Sequence, residues 1–157
     1  MFVKKIEMLH SDHGVSEDLI FKALKRINSL ENFGENIIDF HTVIGFSNLV
    51  EVNENNEFYE LYRGNRQYPS RFVKNRLPIP RTKLVVIWKR VKYGYFKVIT
   101  AFFSNQEKAH CPDEPGNIKR KLAKGIKYSE EELRLAKEFW SKHAFVEIPG
   151  YPVKKVI

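Results

Sequence analysis

The stretch TKLVVIWKRVKYGYFKVITAFFS, Thr82 to Ser104, constrains this chain more than any other. Its β-branched and aromatic residues fall into two runs, Leu84 to Trp88 and Tyr95 to Phe103, separated by a basic segment that pivots near Gly94. Such runs favour extended backbone, and a glycine supplies the turn conformation that a side chain resists. The segment from about 82 to 103 is therefore predicted to be a β-hairpin, apolar enough to lie centrally in a sheet. With 157 residues, 43% of them hydrophobic and 13% aromatic, the chain can bury a core around that hairpin. A single domain spanning 1–157 is the economical expectation.

Helical periodicity flanks the hairpin on both sides. In VSEDLIFKALKRINSLENFG, Ser16 can cap a helix, Glu17 and Asp18 suit its positive end, and Leu19, Ile20, Ala23, Leu24 and Ile27 form an apolar stripe that Gly34 would stop. NIIDFHTVIGFSNLVEV is expected to supply one or two strands, bent near Gly45 and Ser47, before a polar turn at Asn53 to Glu57. HCPDEPGNIKRKLAKGIKY reads as a loop around a short basic helix near Ile118 to Ala123. YSEEELRLAKEFWSKHAF opens with a capping box, Ser129 to Glu132, and predicts a helix over about 129–143 that buries Leu133, Ala136, Phe139 and Trp140. The resulting expectation is an α+β fold: an N-terminal helix, a central antiparallel sheet built on the hairpin, and a C-terminal helix.

Charge is distributed unevenly. The chain carries a formal +8, and from Leu61 through Gln106 it contains Arg63, Arg66, Arg71, Lys74, Arg76, Arg81, Lys83, Lys89, Arg90, Lys92 and Lys97 without one Asp or Glu. A surface of one sign repels itself unless an anionic partner is expected. Tyr59, Tyr62, Tyr68, Phe72, Tyr93 and Tyr95 are interleaved with these cations, as expected where bases stack beside phosphates. Tyr68, Arg71, Lys74, Arg76, Arg81 and Tyr95 are thus candidate RNA contacts. The sequence GNR around Gly64 has no phosphate-loop pattern, so nucleotide hydrolysis has no support.

Cys111 stands alone, which excludes an intramolecular disulfide and a multi-thiolate zinc site and fits a reducing compartment. His10, Asp12 and His13 have ligand-like spacing and His110 adjoins Cys111, yet neither group completes a metal site, so no metal or other cofactor is expected. No segment has the apolar length of a signal peptide core or a membrane span, and a cytoplasmic protein without a membrane partner is expected.

Three residues could carry chemistry together. His41, in IIDFHTVIG, is placed by strand alternation on one face with Asp39 and Val43. Thr100 shares a face of the last hairpin strand with Val98 and Phe102. A histidine to move the proton of a ribose 2′-hydroxyl, a guanidinium to neutralise the phosphorane and a threonine to orient the phosphate would cleave RNA without a metal, leaving a 2′,3′-cyclic phosphate. His143, at the expected end of the last helix, suits a cation capping the negative pole and is a secondary candidate.

FHTVIGFSNL, then YRGNRQYPSRFVKNR, then YFKVITAFF resembles the His, Arg, SRF and Thr-Ala-aromatic order of bacterial pancreatic-ribonuclease-like toxins, within the barnase, EndoU, colicin and RelE superfamily. The resemblance covers about Asp39 to Phe103 and implies a compact metal-independent endoribonuclease, with the family's histidine on His41, its arginine on Arg63 or Arg66 and its threonine on Thr100. Members often carry a tyrosine two residues after the threonine. Here Phe102 has no hydroxyl, leaving His143, Tyr68 or Tyr95 for the second proton transfer. A toxin of this kind would act on tRNA, mRNA or rRNA and could meet an acidic antitoxin or immunity protein. The alternative from the residues themselves is a non-catalytic RNA-binding module using the basic, aromatic segment 61–106.

Overall fold

The computed structural model describes residues 1–9, 14–104 and 111–157. In chain order the elements are β1 Lys5–Met8, α1 Glu17–Arg26, β2 Phe33–Asp39, β3 Gly45–Ser47, β4 Leu49–Glu51, β5 Phe58–Arg63, β6 Ser70–Val73, β7 Ile79–Arg81, β8 Lys83–Lys92, β9 Tyr95–Phe103, α2 Pro115–Ala123, α3 Glu130–Ser141, β10 His143–Phe145 and β11 Val153–Lys155. They form two compact units, one made of residues 1–47 and 80–109 and the other of 48–79 and 110–157.

The expected α+β arrangement is not the one adopted. Strands predominate, in three sheets rather than one; a strand precedes the first helix, and two strands follow α3. The four-stranded sheet runs β1-β9-β8-β2, with β1 parallel to β9 and the remaining pairs antiparallel; the five-stranded sheet runs β11-β5-β6-β10-β4, with β10 parallel to β6; β3 and β7 pair separately. Strands of three or four residues, such as β1, β6, β10 and β11, are too short for a period of two to stand out, and β1, β10 and β11 find their partners far away in sequence. Both larger sheets are therefore mixed rather than antiparallel.

In the first unit α1 is built as its caps dictate. The Ser16 hydroxyl accepts from the Leu19 amide at 3.2 Å, Glu17 and Asp18 occupy the first turn, and Lys25 and Arg26 the last. Ile20, Ala23 and Leu24 are fully buried against Leu84, Val86 and Trp88 of β8 and Phe96 and Val98 of β9. Ile20 and Leu24 each contribute about 1.5–3 kcal/mol through burial. The helix ends at Arg26, not near Gly34; Ile27 is already extended and Gly34 belongs to β2. There the missing side chain lets β2 lie against the Trp88 ring, whose Nε1 donates to Asn36 Oδ1 at 2.7 Å.

The hairpin β8–β9 turns at Tyr93 and Gly94, the glycine at φ +78°. Its register sets Leu84 opposite Phe103, Val86 opposite Ala101 and Trp88 opposite Val98 on the face toward α1. A bulge between Ile87 and Trp88 keeps both strands in phase with that core despite one extra residue in β9.

The second unit has a core of Val50, Val73, Ala144 and Val146, and another of Leu61, Phe72, Trp140 and Phe145. The capping box of α3 forms as its sequence anticipates, with Ser129 and Glu132 bonded reciprocally. Of the residues expected in the core, Ala136 and Trp140 are buried and Phe139 is half-buried, but Leu133 is exposed. Asp113 accepts from Lys121 Nζ at 2.8 Å and from the Tyr128 hydroxyl at 2.6 Å, fastening α2 to the turn before α3.

Two measurements test this packing. Alanine at Gly34 would put a Cβ 2.7 Å from a buried, hydrogen-bonded indole, so Gly34→Ala should cost about 1–3 kcal/mol in urea unfolding followed by tryptophan fluorescence. The bonds from Lys121 and Tyr128 hold the Asp113 carboxyl below its ordinary pKa, so its contribution is present above the unfolded value and lost as pH falls through the folded one. Asp113→Asn should accordingly reduce stability near neutrality and flatten its decline below roughly pH 4.

Candidate nucleic-acid interface

The arginines of YRGNRQYPSRFVKNR have partners that the sequence does not place beside them. Arg63, at the end of β5, is only 6% exposed; its Nη2 meets Glu114 at 2.8 Å, its Nε donates to Ser70 Oγ at 3.1 Å, and its guanidinium lies 3.8 Å from the centre of the Phe145 ring. Glu114 is the N-cap of α2 and makes no capping bond, because its carboxylate is turned to Arg63. A buried guanidinium held in this way is a structural fastener rather than a free phosphate clamp.

Arg66 sits in the turn after Gly64 and donates through Nη1 to the Arg63 carbonyl at 3.4 Å. Tyr68 is half-buried beside it; burial raises its pKa, Glu114 adds to the shift, and Arg66 and Arg63 oppose it. Arg71, on β6, donates through Nη2 to the carbonyls of Trp140 at 2.6 Å and His143 at 2.8 Å, satisfying the end of α3, and stacks 4.2 Å over Phe58. Arg76 donates to the Glu51 carbonyl at 2.9 Å, and Lys74 lies 3.8 Å from Glu57. Arg71 thus serves the fold, and Lys74 and Arg76 are exposed cations with local contacts.

His143 opens β10 instead of closing α3. Its Nδ1 is 2.8 Å from the Phe139 carbonyl, and its ring stacks on Phe139 at 3.9 Å. These contacts account for its position without a proton-transfer role. Cys111 is exposed, yet desolvation around the thiol pushes its pKa up, with Arg63 opposing and Glu114 reinforcing. It is no activated thiolate.

In the first unit, His41 is not in a strand. β2 stops at Asp39, whose Oδ1 accepts the His41 amide at 2.8 Å, and His41 turns to φ +57° with its side chain 84% exposed and Nδ1 3.7 Å from Asp39 Oδ2. That amide bond is the main cause holding the Asp39 carboxyl below its ordinary pKa. Thr100 pairs with Ile87, which pairs in turn with Glu35, whereas Asp39 pairs with Lys83 four residues along β8. Those rows stand about 13 Å apart along the strands and two strand spacings add about 10 Å across the sheet, too far for one phosphate to meet both Thr100 and the Asp39 end. Half-buried Arg81, on β7, has an Nε without a hydrogen-bond partner among the described residues.

A different group converges at the opposite end of the four-stranded sheet, on the face turned away from α1. Lys89 of β8 lies directly opposite Lys97 of β9, flanked by Phe33 of β2, which is 73% exposed, and by Glu7 of β1. In the next row Tyr95 faces Lys5 and Lys92; the Lys92 ammonium is 4.4 Å and that of Lys4 5.6 Å from the tyrosine ring centre. Among the described residues neither Lys89 nor Lys97 forms an ion pair. Alternation in the hairpin could have put Lys89 and Lys97 on one face. Lys4 and Lys5 could not have been found, since only the parallel pairing of β1 with β9 brings them there.

Among the described residues no three His, Cys, Asp or Glu side chains converge as metal ligands would. His10, Asp12, His13 and His110 lie outside the described residues. No helix of the described chain is long and apolar enough to cross a membrane.

No protein-family model matches the sequence, and no curated protein matches it. Among solved structures, the chain is similar to a conserved hypothetical protein from Toxoplasma gondii ME49, with a TM-score of 0.57 at 12% identity over 89% of this chain and 86% of that one. This likeness concerns the fold alone.

The role of Arg63 can be separated from ligand binding. Glu114→Ala leaves a guanidinium buried without its carboxylate and should cost about 3–5 kcal/mol in denaturant unfolding. Arg63→Met combined with Glu114→Leu should recover most of that loss, because an apolar pair fills the space without an orphan charge.

Proposed function

We propose that this chain is a non-catalytic RNA-binding module whose binding face is the open, basic and aromatic end of the β1-β9-β8-β2 sheet. The observation that carries the reading is the Lys89–Lys97 pair. Like charges directly opposite on neighbouring strands destabilise a sheet by about 0.2–1 kcal/mol. Here the pair sits with Lys4, Lys5 and Lys92 around Tyr95; among the described residues Glu7 is the carboxylate in the Lys89–Lys97 row, and Glu35 of β2 lies on the same face in the row of Ile87. A phosphate backbone relieves such repulsion, and neighbouring rings offer bases a surface on which to stack.

The metal-independent endoribonuclease reading needs a free arginine and a histidine near Thr100. It finds less support: Arg63 is bound to Glu114, and Thr100 stands rows away from Asp39 within its own sheet. Both readings meet in one experiment. Fluorescence anisotropy with a labelled oligoribonucleotide should show salt-sensitive binding while the RNA stays intact in EDTA at neutral pH. Lys89→Ser with Lys97→Ser should weaken binding and lower the salt slope by roughly 1.4, two phosphate contacts' worth on a single strand. The single change Lys97→Thr should stabilise the free protein by up to about 1 kcal/mol while reducing its affinity. Cleavage that depends on His41 would replace the binding reading with the enzymatic one.

A further inference from the structure

Beside the lysines, the hairpin turn and the N-terminal segment next to it place two aromatic rings in solvent. Tyr93 is 78% exposed and Phe2 55% exposed, and their rings stack with centroids 5.1 Å apart and planes 20° from parallel. The arrangement is built, not incidental. The Gly94 carbonyl accepts the amides of Lys4 at 2.7 Å and Lys5 at 3.0 Å, pinning the N-terminal segment to the turn, and a Cβ on Gly94 would stand 2.8 Å from the Phe2 ring. Exposing two large rings side by side is unfavourable for a free surface, since each forgoes the burial that aromatic side chains ordinarily gain.

The cations around this stack follow a line. Lys92 and Lys4 reach over Tyr95, Lys5 is paired with Tyr95, and Lys97 and Lys89 continue on the same face toward exposed Phe33. Rings therefore stand at both ends of a short basic track. A duplex presents its phosphates to such a track but keeps its base faces stacked internally; a single strand presents both.

We infer that the occupant of this face is single-stranded nucleic acid, held by stacking of a base on the Phe2–Tyr93 pair and of another on Phe33, with the lysines between them on the connecting phosphates. This rests on the proposed binding function and specifies its substrate. Charge complementarity supplies the affinity, and unstacked base faces supply the selectivity for single strands.

The test compares the full chain, Tyr93→Ser, Tyr93→Phe and Phe33→Ser on a labelled oligouridine and on a blunt RNA duplex of equal length, at low salt. Binding of the single strand should exceed that of the duplex; Tyr93→Ser and Phe33→Ser should each weaken it by roughly 5- to 150-fold while leaving duplex binding unchanged. Tyr93→Phe should bind as the parent does, because the ring and not the hydroxyl stacks. Equal affinity for strand and duplex, or single-strand binding indifferent to Tyr93→Ser, overturns this inference and leaves the binding function standing. Failure to bind either RNA at low salt overturns the binding function itself.

Discussion

The β8–β9 hairpin has two faces, and burial of one determines what the other displays. Leu84, Val86 and Trp88, together with Phe96, Val98 and Ala101, are committed to the core under α1. With that register set by apolar packing, alternation leaves Lys89 no position but the opposite face, directly across from Lys97. A slip of one residue would remove the charge clash but would turn the hydrophobic set out of the core, at a cost far above the repulsion it relieved. The first unit's basic surface is therefore locked in place by its core, and Gly94 lets the N-terminal segment join it.

Arginine and lysine divide the work by their chemistry. Arg63, Arg71 and Arg90 use the planar fork to bind a carboxylate or several carbonyls: Arg63 holds Glu114 and Ser70, Arg71 the carbonyls of Trp140 and His143, and Arg90 those of Ser29, Leu30 and Glu31. Lys5, Lys89 and Lys92 are exposed, with ammonium groups on long flexible stems. Within the densest run of positive charge in the chain, Arg63 and Arg71 are thus engaged in holding the second unit together, and the proposed binding surface falls to less conspicuous lysines in the first.

Much of the local structure was legible. Ser16 and the stripe from Leu19 to Leu24 mark α1, Ser129 and Glu132 mark the start of α3, and Gly94 marks the hairpin turn, because caps, periodicity and turn chemistry act within a few residues. The fold class was not legible. Met8 faces its β9 partner across some ninety positions of chain, and Phe145 of β10 pairs with both Leu49 and Phe72, relations that no local pattern announces. His41 was misplaced for a related reason: a β-rich neighbourhood suggested a strand, but the Asp39 carboxylate captures its amide and ends the ladder.

By itself, then, the amino-acid order determined the hairpin, the ends of the principal helices and a chain of strong positive charge with aromatic residues among its cations, since each of these depends on residues near one another. Tertiary structure alone decided which of those cations are available. Glu114 lies fifty-one residues from Arg63, and Lys4 and Lys92 come from the two separate chain segments of the first unit to share one tyrosine ring. Whether a charge is neutralised or left to a ligand depends on what folding brings within a few ångströms of it, because charge interactions act through space and not along the chain.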